Sequence, residues 1–394
     1  IDRSADLLKR AGPGLARFRF EPRFGARFLG LVIVALLLTS VAAGCAPGVS
    51  DDESGGLDGR VLRWHAWQDP ESEALLGIVE RYRELNPDVQ VQVRDFADEE
   101  AMLDAFATAS ASGLGPDLFL AASTHLRTLA NSGQIADIHN EVSPDVLARY
   151  VPSALATLES NGALYGLPES QNTMVLFYNR NLVDAPPADL DEMLDQLEEG
   201  ALVLMGTNFI DAFWGVQAFG GRLFDENGQI ILDQGGFANW LAYLRDARDL
   251  PGMIMDSNRQ VLLQRFAEGG VEYYVGKASE LVQLQAALGE AAVGIEPLPQ
   301  GPLGPAGPFM ETRAFFFSRV SSSNQRDLAL DLAAFVTNAE QNASLLREAS
   351  HVPANQDVRI NPRLNPLVNA IARQARTASP LPTDQTMQTV LDLA

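Results

Sequence analysis

From residue 61 to residue 337 the sequence repeatedly exchanges one hydrophobic periodicity for another. Apolar runs of four to seven residues give way to stretches with apolar residues at helical spacing, then return. A sheet covered by helices on both faces accommodates that alternation, and the reading is an α/β fold. Strands are predicted over Val61–Trp67, Val89–Val93, Asp117–Ala121, Val175–Tyr178, Leu202–Met205 and Val271–Val275. Helices are predicted over Pro70–Leu85, opened by Asp69 and a first-turn proline, and over Asp98–Ser110, where Met102, Leu103, Phe106 and Ala107 share a face. Ser123 or Thr124 is positioned to cap the next helix. Further helices are expected at Phe209–Phe219, Trp240–Arg248, Arg259–Glu268 and Asn324–Thr337, with a hairpin at Leu223–Leu232 around Asn227-Gly228. The segment 301–308, GPLGPAGP, reads as a stiff exposed loop, and 383–394 ends with helical spacing at Met387, Val390 and Leu391. No internal repeat is visible.

At 394 residues the chain has material for two to three domains. The formal charge is -22, from 29 basic and 51 acidic residues. The first 44 residues hold seven Lys/Arg against three carboxylates, so the rest of the chain carries -26. Such a body repels nucleic acid and anionic lipid, which excludes nucleic-acid partners. One cysteine, Cys45, excludes a disulfide framework and a cysteine-based structural zinc site.

That cysteine ends a targeting pattern. Basic residues Arg3 to Arg27 precede an uncharged run, Phe28 to Ala43, whose 16 residues fall short of the roughly 17–25 that span a bilayer. The small residues Ala42-Ala43-Gly44 stand immediately before Cys45, and Val41 precedes them. The combination resembles a bacterial lipobox, which implies a signal peptide over 1–44 and a lipidated Cys45 anchoring the mature chain to the membrane. The polar APGVSDDESGG that follows reads as a flexible tether over 45–58.

A search for catalytic chemistry yields little. Gly276-Lys277 invites a phosphate-loop reading, but its spacing from Gly270 is one residue too long and Ala278 replaces the hydroxyl residue. His65, His125, His139 and His351 lack ligand spacing, so no metal or cofactor is expected. Glu169, after Pro168, is the one acidic residue singled out. What recurs instead is aromatic, amide and hydroxyl side chains where strands meet helices. Trp64, His65, Trp67 and Gln68 end the first strand, and Ser123, Thr124 and His125 follow the third. Gln171, Asn172 and Thr173 precede a strand, while Asn208, Phe209, Phe213 and Trp214 follow one. Ligands of open α/β sheets sit at the carboxyl ends of strands, and aromatic faces with amides suit sugar rings and their hydroxyls.

Four stretches carry a resemblance to the solute-binding proteins of ABC importers, specifically the sugar-binding family. They are 115–138 (from GPDLF to LANSGQIADI), 161–183 (from NGALYGLP to FYNRNLV), Phe266-Ala267-Glu268-Gly269, and the helix Leu330–Thr337. The resemblance implies a two-lobed, periplasmic-binding-protein-like α/β fold with an interlobe cleft and hinge crossovers near Gln171–Leu176 and Arg313–Phe317. It places 59–172 and 313–350 in one lobe and 173–312 in the other, with 351–394 as C-terminal helices of that second lobe. It also implies a carbohydrate ligand, ABC permease subunits as partners, and a monomer.

The sequence departs from the family pattern at four places. Ala121 stands where tryptophan is common and Ser279 where an aromatic is common; Thr124-His125 replace a charged pair, and Leu391 falls near another aromatic position. Fewer stacking platforms shorten the groove, so the expected ligand is a small sugar of one to three rings. The expected ligand-binding residues are Trp67, Gln68, Ser123, Thr124, His125 and Gln171, together with Asn172, Asn208, Phe209, Trp214, Ser279 and Arg313. Trp67, Gln171 and Trp214 are expected to converge. Two other functions stay open at this point: a sensory or adhesive surface lipoprotein on the same fold, and a secreted carbohydrate-active enzyme.

Overall fold

The computed structural model describes residues 72–223, 225, 230–231 and 235–381, and gives 60–67 as a strand. In chain order the strands are β1 (Arg60–Trp67), β2 (Val89–Phe96), β3 (Leu118–Ala122), β4 (Glu159–Ser160), β5 (Ala163–Leu164), β6 (Gly166–Asn179) and β7 (Val203–Gly206). They continue with β8 (Met253–Asp256), β9 (Tyr273–Lys277), β10 (Val293–Glu296), β11 (Phe309–Phe317), β12 (Val352–Pro353) and β13 (Ser379–Pro380). Cys45, Gln68, the tip of the 223–232 hairpin and the helical pattern at 383–394 lie outside the described residues. Across that hairpin, the Ile231 N–H donates to the Leu223 carbonyl at 3.0 Å.

One sheet runs in the order β2-β1-β3-β11-β6-β9-β7-β8, with β10 and β12 also on β6 and β13 on β11. At one end β2, β1 and β3 are parallel; at the other β9, β7 and β8 are parallel. Antiparallel β11 and β6 join these two arrays. The 14-residue β6 changes partners along its length: Gly166–Thr173 pair with β11, and Met174–Tyr178 pair with β9. A register shift on β11 falls between Arg313 and Ala314. Both strands therefore cross between lobes.

Three apolar clusters follow from this topology. The first is built from residues between Ala66 and Leu167 together with Ala314–Phe317 and the helices Ser323–Val336 and Ala339–Ala349. The other two cover opposite faces of the second lobe's sheet. Met174, Leu176 and Tyr178 of β6 point into one, while Val175 and Phe177 point into the other, the period-two alternation of a strand buried on both sides. Phe309 belongs to the second lobe's core and Ala314 to the first, so β11 crosses between them, at the front edge of the expected 313–317 segment.

Local chemistry sets the helix ends. Asp98 caps Glu99–Ala111, its Oδ1 accepting from the Ala101 N–H at 2.8 Å, and Asp189 caps Leu190–Glu198 in the same way. Ser322 and Gln325 form a reciprocal capping box for Ser323–Val336. Asn161 and Gly162, at φ 52° and 79°, make the tight turn between β4 and β5, where two left-handed residues match the strand twist.

Three expectations need correction. Neither Ser123 nor Thr124 caps the next helix: both lie in the short turn Ser123–His125 before it, and the Ser123 hydroxyl accepts from the Thr312 N–H at 3.0 Å, tying the end of β3 to β11. The Phe209–Phe219 helix is two short ones, Phe209–Ala212 and Gly215–Ala218. The Trp240 indole donates to the Ala212 carbonyl at 2.7 Å, taking an acceptor that a continuous helix would use, and its ring lies so close to Gly215 that a Cβ there would overlap it. In the 301–308 loop Pro302, Leu303 and Pro305 are exposed, but Ala306–Pro308 are buried. Among the described residues no helix is long and apolar enough to cross a membrane.

Candidate functional site

Where β6 and β11 pass between the lobes, a cavity of about 370 Å³ opens. The backbone brings its walls from distant sequence. β6 supplies Ser170, Gln171 and Asn172, and β11 supplies Glu311, Thr312 and Arg313. The end of β9 and the turn beyond it supply Lys277, Ala278, Ser279 and Glu280. Glu99, Thr124, Arg259, Ser350 and His351 complete the polar lining, with Leu281, Val282, Val352 and Ile371 as apolar patches.

Five of the residues expected from sequence meet here: Thr124, Gln171, Asn172, Ser279 and Arg313. Asn172 and Ser279, 107 positions apart, form a reciprocal pair. The Asn172 amide donates to Ser279 Oγ at 3.2 Å, and the Ser279 N–H donates to Asn172 Oδ1 at 3.1 Å. Gln171 donates its amide to the Pro353 carbonyl at 2.6 Å, which fixes the side chain at the cavity wall.

The rest fall elsewhere. Ser123 is buried under the β3–β11 contact, and His125 stands outside the lining with its Nε2 3.7 Å from Glu99 Oε2. Asn208 caps its own short helix, its Oδ1 accepting from the Asp211 N–H. Phe209 packs on Phe213 and Phe309. Trp214 is 1 % exposed, with its ring centroid 4.6 Å from that of Trp240, deep in the second lobe's core. The expected convergence of Trp214 with Gln171 is therefore corrected: the indole fills the interior because the Phe209–Ala218 segment turns its aromatic face inward. Trp67 lies on β1 opposite Phe96, and its side chain is outside the described residues.

Sequence reasoning missed the ionic framework. Arg259 sits between two carboxylates, 2.9 Å from Asp211 Oδ1 and 3.1 Å from Glu280 Oε1. Lys277 pairs with Glu311. Glu280 also accepts from the Tyr274 hydroxyl at 2.9 Å and the Lys277 N–H at 3.0 Å. Behind the cavity Glu169 is fully buried on β6. Its Oε1 lies 2.7 Å from His351 Nδ1, and its Oε2 accepts from the Ser170 hydroxyl at 2.7 Å. The Asn342 amide donates to the Glu169 carbonyl, holding the backbone at the crossing.

These contacts set the protonation of the carboxyls. Burial pushes Glu169 up, but the charge and hydrogen bond of His351, with Arg313 and Ser170, outweigh it and hold the carboxyl below its ordinary range. Burial likewise raises Glu99, and His125, the Ala122 N–H and Arg313 more than reverse it. At Glu280 burial wins over Arg259 and the hydrogen bonds, so that carboxyl is raised; the Tyr274 phenol beside it is raised too, first by burial and then by Glu280. Among the described residues no group of His, Cys, Asp and Glu could hold a metal ion. The arrangement is a polar pocket at a two-strand crossing, suited to holding a small polar molecule between lobes.

Comparison with known proteins places this geometry. Solved structures share the fold: a cyclo/maltodextrin-binding protein complexed with maltotetraose superposes with a TM-score of 0.72 at 22 % identity, covering 86 % of this chain and 91 % of that one. A maltose-binding periplasmic protein from Listeria monocytogenes, in complex with maltose, gives 0.71 at 21 % identity over 84 % and 90 %. The maltodextrin-binding protein MdxE of Bacillus subtilis is 24 % identical over 372 residues, 88 % of this chain and 87 % of that protein. A maltotriose-binding protein of Pyrococcus abyssi is 30 % identical over 177 residues, which span 43 % of this chain and 38 % of that protein. These relatives are binding proteins rather than enzymes. The family model for bacterial extracellular solute-binding proteins matches residues 77–367, from the first described helix to the last, and the chain belongs to that family.

Proposed function

We propose that this protein captures a small carbohydrate outside the cytoplasm and delivers it to the permease of an ABC importer, tethered to the cell membrane through a lipid on Cys45. The observation that carries the ligand reading is the cavity itself, of about 370 Å³ and lined by hydroxyl, amide and charged groups from both crossing strands. Pockets of this kind bury small ligands, and this one is near the lower end of the usual size range of roughly 300–1,000 Å³. The names of the relatives point the same way: maltotriose-, maltodextrin- and galactooligosaccharide-binding proteins. The membrane anchor rests on the basic front, the 16-residue apolar run and Ala-Ala-Gly-Cys, with a Streptococcus pneumoniae relative named as a solute-binding lipoprotein.

In this reading Thr124, Gln171, Asn172, Ser279 and Arg313 contact the ligand, with Arg259, Lys277, Glu280 and Glu311 on the second lobe's side of the cavity. One lobe comprises 59–172 and 313–350, and the other 173–312 and 351–394. The second division is supported by Val352, Val368, Ala370 and Ile371 in the second lobe's core. Closure of the lobes about β6 and β11 traps the sugar. Thermal-shift screening against neutral mono-, di- and trisaccharides, followed by calorimetry, tests the ligand, since a ligand bound only by the native state raises its melting temperature. A library in which no saccharide shifts melting would end the carbohydrate reading. Mass spectrometry of the mature protein tests the anchor, which an unmodified Cys45 would end.

A further inference from the structure

We infer that Glu280 and Glu311 are specificity-determining residues that make this site select uncharged saccharides and reject sugars carrying a carboxylate or phosphate. The inference rests on the carbohydrate reading and adds to it the charge class of the ligand.

The argument starts from the cations of the cavity wall. An anionic sugar needs a positive group with unsatisfied charge, as a guanidinium or ammonium aimed into the pocket supplies. Arg259 and Lys277 are such groups by type, but each is neutralised within the wall. Arg259 is held between Asp211 and Glu280, and Lys277 is held by Glu311. The third permanent cation, Arg313, lies in the fields of Glu99 and Glu169. Among the described residues at the wall or directly behind it, five carboxylates therefore face three permanent cations and two histidines, His125 and His351. The pocket's potential is neutral to negative, inside a chain that itself carries -22.

An incoming carboxylate or phosphate would have to displace Glu280 or Glu311 from its partner, leaving a half-buried carboxylate unpaired next to a second anion. A hydroxyl requires no such exchange. A paired guanidinium retains N–H donors, and a paired carboxylate retains lone pairs, so an ion pair can give and accept hydrogen bonds from a vicinal diol while staying intact. Glu280 and Glu311 thus act through Arg259 and Lys277 as positioning residues, and rejection of anions is the property they confer.

The test uses the purified full chain and calorimetric titration with matched probes: maltose and galactobiose as uncharged ligands, maltose 6′-phosphate and digalacturonate as anionic ones. The wild type is expected to bind its preferred uncharged probe at least tenfold more tightly than the anionic counterpart. In Glu311→Gln, and separately in Glu280→Gln, that ratio is expected to fall by about tenfold, because one cation gains free charge. Glu311→Asp restores the ratio, which a merely structural role of the side chain would not predict. Equal binding of the anionic probes by the wild type overturns the inference and leaves the carbohydrate reading standing. An unchanged ratio in a folded Glu311→Gln protein overturns it as well. Binding of no saccharide of either charge removes the carbohydrate reading and this inference together.

Discussion

Replacing Trp214 with alanine separates an interior role from a ligand-stacking role. The indole is 1 % exposed, tilted 59° on Trp240 at 4.6 Å, and packed in a cluster with Phe213, Val216, Leu223 and Tyr243. A tryptophan buries about 150–250 Å² in such a setting, which at roughly 25 cal/mol per Å² gives about 4–6 kcal/mol as an upper figure. Its Nε1 has no hydrogen-bond partner among the described residues, so the substitution removes packing without orphaning a polar group. Large-to-small changes of this type cost about 3–5 kcal/mol, and we take about 4 kcal/mol as the expected loss. Trp214→Phe keeps a ring against Trp240 and is expected to cost about half as much. Urea unfolding followed by far-ultraviolet circular dichroism reads the loss; with a slope of about 3 kcal/mol per molar, the midpoint falls by more than 1 M. Sugar affinity, measured by calorimetry well below the melting temperature, should stay within about threefold of wild type, since a true stacking anchor would cost ~2 kcal/mol, or about thirtyfold. A Trp214→Ala protein with wild-type stability and weakened binding would refute the placement.

Four further outcomes are expected. Glu169 has its pKa lowered in the folded protein, so its contribution to stability is present above the ordinary carboxylate value and lost as pH falls through the lowered one; Glu169→Gln should flatten that acid limb of a urea-midpoint profile between pH 3 and pH 7. In the same profile His351→Ala, which removes the hydrogen-bond partner of Glu169 and leaves a buried carboxylate behind, should cost about 3 kcal/mol near neutrality. Glu280 shifts the opposite way: its contribution is present below the unfolded value and lost as pH rises through the raised one, so the melting temperature of Glu280→Gln should gain on wild type from pH 4 to pH 7. Gly162→Ala, at φ 79° with open space around the new methyl, should lose about 1 kcal/mol by thermal unfolding and leave sugar affinity unchanged.

The parts of the molecule that the sequence announced are those encoded locally. Asp98 followed by Glu99, Met102 and Phe106 specifies a capped helix with one apolar face, and the helix forms there. Leu118 to Ala121 is too short and too apolar to be anything but a buried strand, and it is one. The amide pair Gln171 and Asn172 reaches the cavity because it lies on β6, one of the two strands that both lobes share. Trp214 misleads because aromatic residues after a strand look alike whether they face a ligand or a core. What decides is the Trp240 indole, 26 positions later, closing over Gly215. The ionic framework left no local trace: Arg259 finds Asp211 across 48 positions, Lys277 finds Glu311 across 34, and Glu169 finds His351 across 182. No periodicity relates such partners, so only the folded backbone brings them together.

The position of β11 also governs the order in which this molecule can assemble. It fills the slot between β3 and β6, so Phe119 waits for Phe316 and Leu118 for Phe317, nearly two hundred residues further along the chain. Until that late segment arrives, β3 presents an unpaired edge and the first lobe lacks Ala314–Phe317, the middle of its core. Contacts of such sequence separation carry loop-closure entropy before they return any stabilisation, which slows the closing of this sheet relative to pairings between neighbouring strands. The first lobe's sheet is thereby left incomplete through most of synthesis, and it closes only when the chain's last quarter is free to enter it.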